Sequence, residues 1–92
     1  MKYQISFSPL ALAHIDFWRN SGQKAVVKKI AKIIEELEVH PETGTGKPER
    51  LRGDMSGLWS RRLSQKDRMI YSIREDVVVV EIVSALGHYG DK

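Results

Sequence analysis

The sequence predicts an α+β domain in which two helices pack on one face of a mainly antiparallel sheet. Three observations carry that expectation. The chain opens with a stretch of period two, continues with two stretches of helical period, and closes with three period-two stretches joined by short polar turns. A strand, two helices and then a run of strands segregates the helices to one side of the sheet. With 92 residues, 41% of them hydrophobic and 29% charged, the chain supports one core, hence a single domain over 1–92.

The first element is "KYQISFS", where Tyr3, Ile5 and Phe7 alternate with polar residues as in a half-buried strand. Ser8-Pro9 then starts a helix: the hydroxyl accepts from an unpaired N–H, and the proline ring presets φ where its missing donor would have had no partner. Ala11, Ile15 and Trp18, with Leu12 alongside, form its apolar stripe, and Asn20-Ser21-Gly22 ends it. A second helix, Gln23 to Val39, carries the stripe Val26, Ile30, Ile33, Ile34 and Leu37. Its polar face runs against the helix dipole, with Lys24, Lys28, Lys29 and Lys32 ahead of Glu35, Glu36 and Glu38. The plain reading is a solvated face with Lys32 and Glu36 paired one turn apart. The competing reading gives the lysines to an anionic partner.

After His40-Pro41, "PETGTGKPERLRGDMSG" reads as loop with a short strand at Glu49 to Arg52. "LWSRRLS", "RMIYSIRE" and "VVVVEIVSAL" read as an antiparallel meander turning around Lys66-Asp67 and Glu75-Asp76.

Alternation sorts these strands' side chains by face. Trp59 and Leu63 point to the core, leaving Ser60, Arg62 and Ser64 opposite; Met69, Tyr71 and Ile73 point to the core, leaving Arg68, Ser72 and Arg74 on the open face. Arg62 and Arg68 then approach each other across a hairpin, and like charges directly opposite destabilise a sheet. Either an anion sits between them, with phosphate suiting guanidinium forks, or they pair with Glu49, Asp54 or Asp67. Glu49 and His88 add chemistry to the first alternative. Metal-free RNA cleavage needs a base for the ribose 2′-hydroxyl, an acid for the leaving 5′-oxygen and cations for the charge on phosphorus. Histidine donates a proton near neutrality, and Tyr89 suits stacking on a base or holding the phosphate.

His14, in a helix, and His40, at a helix end, are expected to be structural. Three scattered histidines and no cysteine lack metal-ligand spacing, so neither metal nor cofactor is expected. The lack of cysteine fits a reducing cytosol, and no 18-residue apolar run or leader-like block points to membrane or export. The net charge of +3 owes its sign to the segment from Lys47 to Arg74.

The stretch "GTGKPERLRGDMSGLWSRRLSQKDRMIYSI", followed by a terminal "HY", resembles the YoeB (Txe) toxins of the RelE/ParE superfamily of bacterial toxin-antitoxin systems. The resemblance runs over essentially the whole chain and implies a RelE-like fold. It also implies a cytoplasmic, ribosome-dependent endoribonuclease that cuts messenger RNA in the decoding site without metal, leaving a 2′,3′-cyclic phosphate or 3′-phosphate and a 5′-hydroxyl. By motif, Glu49 of "GKPE" would be the general base and His88 the general acid, with Tyr89 positioning the nucleotide. Arg62 and Arg68 would hold the scissile phosphate, and Lys47, Arg52 and Arg61 would add RNA or phosphate contacts. The implied partners are a YefM-like antitoxin with an acidic, partly disordered tail, the ribosome with its mRNA, and a second copy in a homodimer. Two departures stand out: Gly90, Asp91 and Lys92 follow the tyrosine, and Arg52 stands where relatives often have Lys. Two other functions compete. One is a ParE-like inhibitor that binds DNA gyrase, a branch that generally lacks the acid/base set; the other is a basic nucleic-acid-binding module without catalysis.

Overall fold

A computed structural model describes residues 2–87 of the chain. The elements follow in the order β1 (Gln4–Phe7), α1 (Pro9–Arg19), α2 (Lys24–Leu37), β2 (Glu49–Arg50), a short 3₁₀ turn (Gly53–Met55), β3 (Leu58–Arg62), β4 (Arg68–Arg74) and β5 (Val79–Ser84). They build one five-stranded sheet of order β1-β5-β4-β3-β2. Only β1 with β5 is parallel, so the sheet is mainly antiparallel and the α+β expectation holds.

The local reasons are those read from the sequence. Ser8 caps α1, its Oγ accepting from the Ala11 N–H at 3.0 Å, with Pro9 in the first turn. Ala11 and Trp18 are buried by α1, and Val26, Ile30, Ile33 and Leu37 by α2, against Met69, Tyr71, Val80 and Ile82 of the sheet. Each aliphatic side chain so buried contributes about 1.5–3 kcal/mol relative to exposure. Replacing Ile33, which is wholly enclosed, by Ala would cost about 2–5 kcal/mol. No helix among the described residues is long and apolar enough to cross a membrane.

Several expectations are corrected at element edges. Leu12 is exposed rather than part of the buried stripe, because the sheet meets only the Ala11–Trp18 side of α1. The short strand stops at Arg50, since Arg52 turns into the 3₁₀ segment. Val77 and Val78 belong to the turn before β5, with Val77 largely exposed. A run of valines reads as strand by propensity, but the register Arg74↔Val79 leaves residues 75–78 to close the hairpin. Val78 does so at φ 55°, a left-handed conformation that branching at Cβ makes unfavourable.

The expected Lys32–Glu36 pair is replaced by a more enclosed one. Glu36 lies under the loop after α2 and receives Arg61 Nη1 at 2.7 Å, the Thr45 N–H at 2.8 Å and Thr45 Oγ1 at 2.7 Å. This accounts for Glu36 within the inverted charge order of α2. A carboxylate near a helix C-terminus opposes the dipole, and here a guanidinium supplies the positive charge that the last turn lacks. Burial pushes the Glu36 pKa upward, but the Thr45 and Arg61 hydrogen bonds outweigh it and hold the carboxyl below its ordinary value of 4.5.

Candidate active site

The face of the sheet away from the helices carries three of the candidate site residues, Glu49, Arg62 and Arg68. Arg62 of β3 and Arg68 of β4 are direct cross-strand partners. Glu49 of β2 pairs with Ser60 of β3, and Ser60 in turn with Ile70 of β4. Glu49 and Arg62 are therefore diagonal neighbours on one face, about 7–8 Å apart at this spacing. Both are exposed, and neither side chain makes a hydrogen bond or ion pair among the described residues. Pairing of Arg62 with Glu49, Asp54 or Asp67 is not observed there. The Asp67 carboxylate is instead taken by Ser64 Oγ at 2.8 Å and the Gly87 N–H at 2.8 Å.

That last contact matters for the tail. Gly87 is tied to the Arg62/Arg68 hairpin twice, its N–H donating to Asp67 Oδ1 and its carbonyl accepting from the Arg68 N–H at 3.0 Å. Upstream, α1 grips Ala85 with two side chains one turn apart: His14 Nδ1 accepts from the Ala85 N–H at 3.0 Å, and Trp18 Nε1 donates to its carbonyl at 2.7 Å. The end of β5 is thus steered to the two arginines. His88 and Tyr89, expected as acid and nucleotide-positioning group, lie outside the described residues.

The "GKPE" arm is fitted to the same hairpin. Gly46 accepts from the Arg62 N–H at 2.7 Å, at φ 87°. A Cβ on Gly46 would lie 2.8 Å from the Arg62 carbonyl, so only glycine permits this approach. Lys47, exposed, follows at φ 52°, a left-handed conformation made harder to adopt by Pro48. Arg52 is not part of this group. Leu51 pairs with Leu58, four residues before Arg62, which puts Leu51 about 13 Å along the strand from the arginine pair and Arg52 beyond it. It lines an open cleft of about 1010 Å³ with Glu49, Arg50, Leu58 and Trp59, where the Arg50 guanidinium sits 5.7 Å from the Trp59 ring centre.

One expected RNA contact is overturned. Arg61 is completely buried on the helix-covered face, where strand parity places it with Trp59 and Leu63. Its five N–H donors meet five acceptors: Nε the Tyr71 hydroxyl, Nη1 Glu36 Oε1 and the Thr45 carbonyl, and Nη2 the carbonyls of His40 and Thr43. The Tyr71 hydroxyl in turn donates to the Pro41 carbonyl at 2.7 Å. No donor remains for a phosphate. Arg61 is the anchor of the loop that delivers Lys47 and Glu49. His40 and His14 are structural, as expected, His40 Nδ1 lying 3.0 Å from the Thr43 carbonyl.

With this geometry in hand, comparison with known proteins is decisive at family level. A model of the YoeB-like toxins of bacterial type II toxin-antitoxin systems matches residues 7–89. The chain belongs to the YoeB toxin family. Toxin YoeB of Streptomyces coelicolor is 43% identical over 72 residues, covering 78% of this chain and 82% of the relative. Among solved structures, the YoeB/ParE toxin from Agrobacterium tumefaciens superposes with a TM-score of 0.85 at 30% identity, covering 94% and 99% of the two chains. The Staphylococcus aureus YoeB dimer gives 0.81 and the YoeB–YefM complex of that organism 0.78, each at 29% identity over 97% and 100%. The RelE-like fold is thereby shown.

Within a YoeB-family chain, three residues were not singled out by sequence reasoning. Asp67 was considered only as an ion-pair partner, although Ser64 and Asp67 at i and i+3 form a recognisable side-chain turn. Trp18 was assigned to packing alone, and its role on Ala85 depends on tertiary placement. Ser60 was placed on the open face but given no task.

Proposed function

We propose that this YoeB-family toxin is a ribosome-dependent, metal-independent messenger RNA endoribonuclease. The observation that carries the reading is the register of the open face: Glu49, Arg62 and Arg68 share it, and Gly87, the residue before His88, is tied to the arginine hairpin. In this reading Glu49 takes the proton from a ribose 2′-hydroxyl, whose oxygen attacks phosphorus. The bond from phosphorus to the 5′-oxygen breaks, and His88 protonates that oxygen. The products are a 2′,3′-cyclic phosphate, open to hydrolysis to a 3′-phosphate, and a 5′-hydroxyl. Arg62 and Arg68 hold the phosphate and stabilise the charge that builds on it, which is where electrostatic catalysis has most effect. Lys47 lies beside the same group, Arg52 serves RNA farther along the cleft, and Tyr89 positions the nucleotide.

The same exposed cations suit an acidic antitoxin segment, as expected of a YefM-like partner, and the Staphylococcus aureus relatives make both a YefM complex and a dimer a fitting assembly for this chain. Action on ribosomes places the toxin in the cytoplasm. The test is cleavage of a translated message in a bacterial extract, with 5′ ends mapped and their chemistry determined. Glu49→Ala and His88→Ala should each remove the new 5′-hydroxyl ends while thermal unfolding stays unchanged. Uncut message with the unsubstituted toxin, or gyrase-dependent DNA damage in its place, would overturn the reading.

A further inference from the structure

Ser60 lies in β3 between Glu49 on β2 and Ile70 on β4, and it is completely buried. Its hydroxyl is the one buried side-chain polar atom without a hydrogen-bond partner among the described residues. A buried hydroxyl left so is unfavourable by about 1–3 kcal/mol, and strands carry valine or threonine at such positions without strain. An orphan of this kind in a folded protein calls for an explanation.

The cross-strand neighbour supplies it. Side chains directly opposite on an antiparallel pair have Cβ atoms about 4.5–5.5 Å apart, within reach of a glutamate that folds back over the strand. Glu49 is exposed and has no side-chain partner among the described residues, a carboxylate open to solvent. Once RNA covers the open face that water is lost, and an ionised carboxylate buried without a donor is strongly disfavoured. Ser60 has a proton to give and no acceptor among the described residues; Glu49, its water displaced, would have acceptors and no donor. We propose that Ser60 is a positioning residue for Glu49: on substrate binding its Oγ donates to one carboxylate oxygen, aiming the other at the ribose 2′-hydroxyl. The inference rests on the endoribonuclease reading above and deepens it.

The experiment is a double-mutant cycle on kcat and KM for cleavage of a message on programmed bacterial ribosomes, using the purified toxin, Glu49→Ala, Ser60→Ala and the double variant, with thermal unfolding of each. Ser60→Ala should melt at the same or a higher temperature, because it removes an unsatisfied buried group. Its kcat should fall about ten-fold, the size of one hydrogen bond to a charged group, with KM unchanged. The double variant should be no slower than Glu49→Ala, because Ser60 acts through the carboxylate. Full kcat in Ser60→Ala, or an equal further loss on the Glu49→Ala background, would overturn the proposal. A clearly lower melting temperature would overturn its premise, showing the hydroxyl bonded before substrate arrives. If Glu49→Ala itself cleaves at the full rate, the catalytic reading fails and this inference with it.

Discussion

Arg61 and Arg62 share a strand, a charge and a motif, yet the pleat sends one guanidinium under the helices and the other to the open face. Arg61 is wholly enclosed, matched donor by donor and set against Glu36. Arg62 is exposed and faces Arg68 directly across the hairpin. The difference teaches that a charge buried in this fold is compatible with stability because every proton is used, whereas the charge left outside opposes stability and needs another reason to be there. One arginine holds the loop that carries the proposed base. Its neighbour is placed to hold what the base acts upon.

The strongest way to break the comparison is to remove the enclosed arginine. Arg61→Met leaves the part-buried Glu36 carboxylate with its two Thr45 hydrogen bonds but without its cation, and takes the arginine's donors from four other acceptors, so stability should drop by about 3–5 kcal/mol in urea unfolding. Arg61→Lys keeps the charge but offers three donors to five acceptors, so its loss should fall between. An Arg61→Met protein as stable as its parent would show that the cluster is decoration. Arg62→Ala should do the reverse: unfolding shifted by no more than about 0.5 kcal/mol, and cleavage slowed about 100- to 1000-fold. If the two substitutions had the same profile, the division of labour between the faces would be wrong.

The tail leash gives a smaller and more discriminating test. Asp67→Ala removes the acceptor for the Gly87 N–H, a hydrogen bond to a charged group worth about 1.5–3 kcal/mol, and should slow cleavage by releasing the residue before His88. Asp67→Asn retains an oxygen at the same place and should restore most of the rate. Equal rates in Ala and Asn variants would show that Gly87 needs no tether.

How far this contrast was legible in the sequence follows from what strand parity can and cannot say. Alternation placed Arg62, Arg68 and Ser60 on one face and Met69 and Tyr71 on the other, and the helix start at Ser8-Pro9 was readable from chemistry that is local to four residues. The same alternation puts Arg61 beside Trp59 and Leu63, whereas the family resemblance implies an RNA contact for it. What decided the matter was an acceptor set drawn from Glu36, His40, Thr43 and Thr45, residues 16 to 25 positions away, which no local pattern encodes. The grip of His14 and Trp18 on Ala85 was hidden for the same reason, at separations of 71 and 67.

The enclosed cluster should also carry a pH signature that the open face lacks. Glu36 has a folded pKa below its ordinary value, so its contribution is fully present above about 4.5, the unfolded value, and is lost as pH falls through the folded one. Stability followed from pH 6 down to pH 3 should decline, and Glu36→Gln should decline less steeply over the part of that range below pH 4.5. A parallel decline in both proteins would assign the acid sensitivity elsewhere.

The smallest effect separates strain that sits beside the proposed site from strain that does not. Lys47 and Val78 are the two non-glycine residues at positive φ among those described, at 52° and 55°. Left-handed backbone is unfavourable by about 1–2 kcal/mol for an L-residue, and glycine returns part of that gain as chain entropy. Val78→Gly should therefore raise stability by about 0.5–1 kcal/mol and leave cleavage unchanged, because the turn it occupies joins β4 to β5 at the end of the sheet away from the arginine hairpin. Lys47→Gly should gain similarly in stability but slow cleavage, since it removes a cation next to Arg62 along with the strain. If Lys47→Gly kept the full rate, the lysine would be an exposed charge with no share in holding phosphate, and the strain at Lys47 would be only the geometry that Gly46 and Pro48 impose on the loop between them.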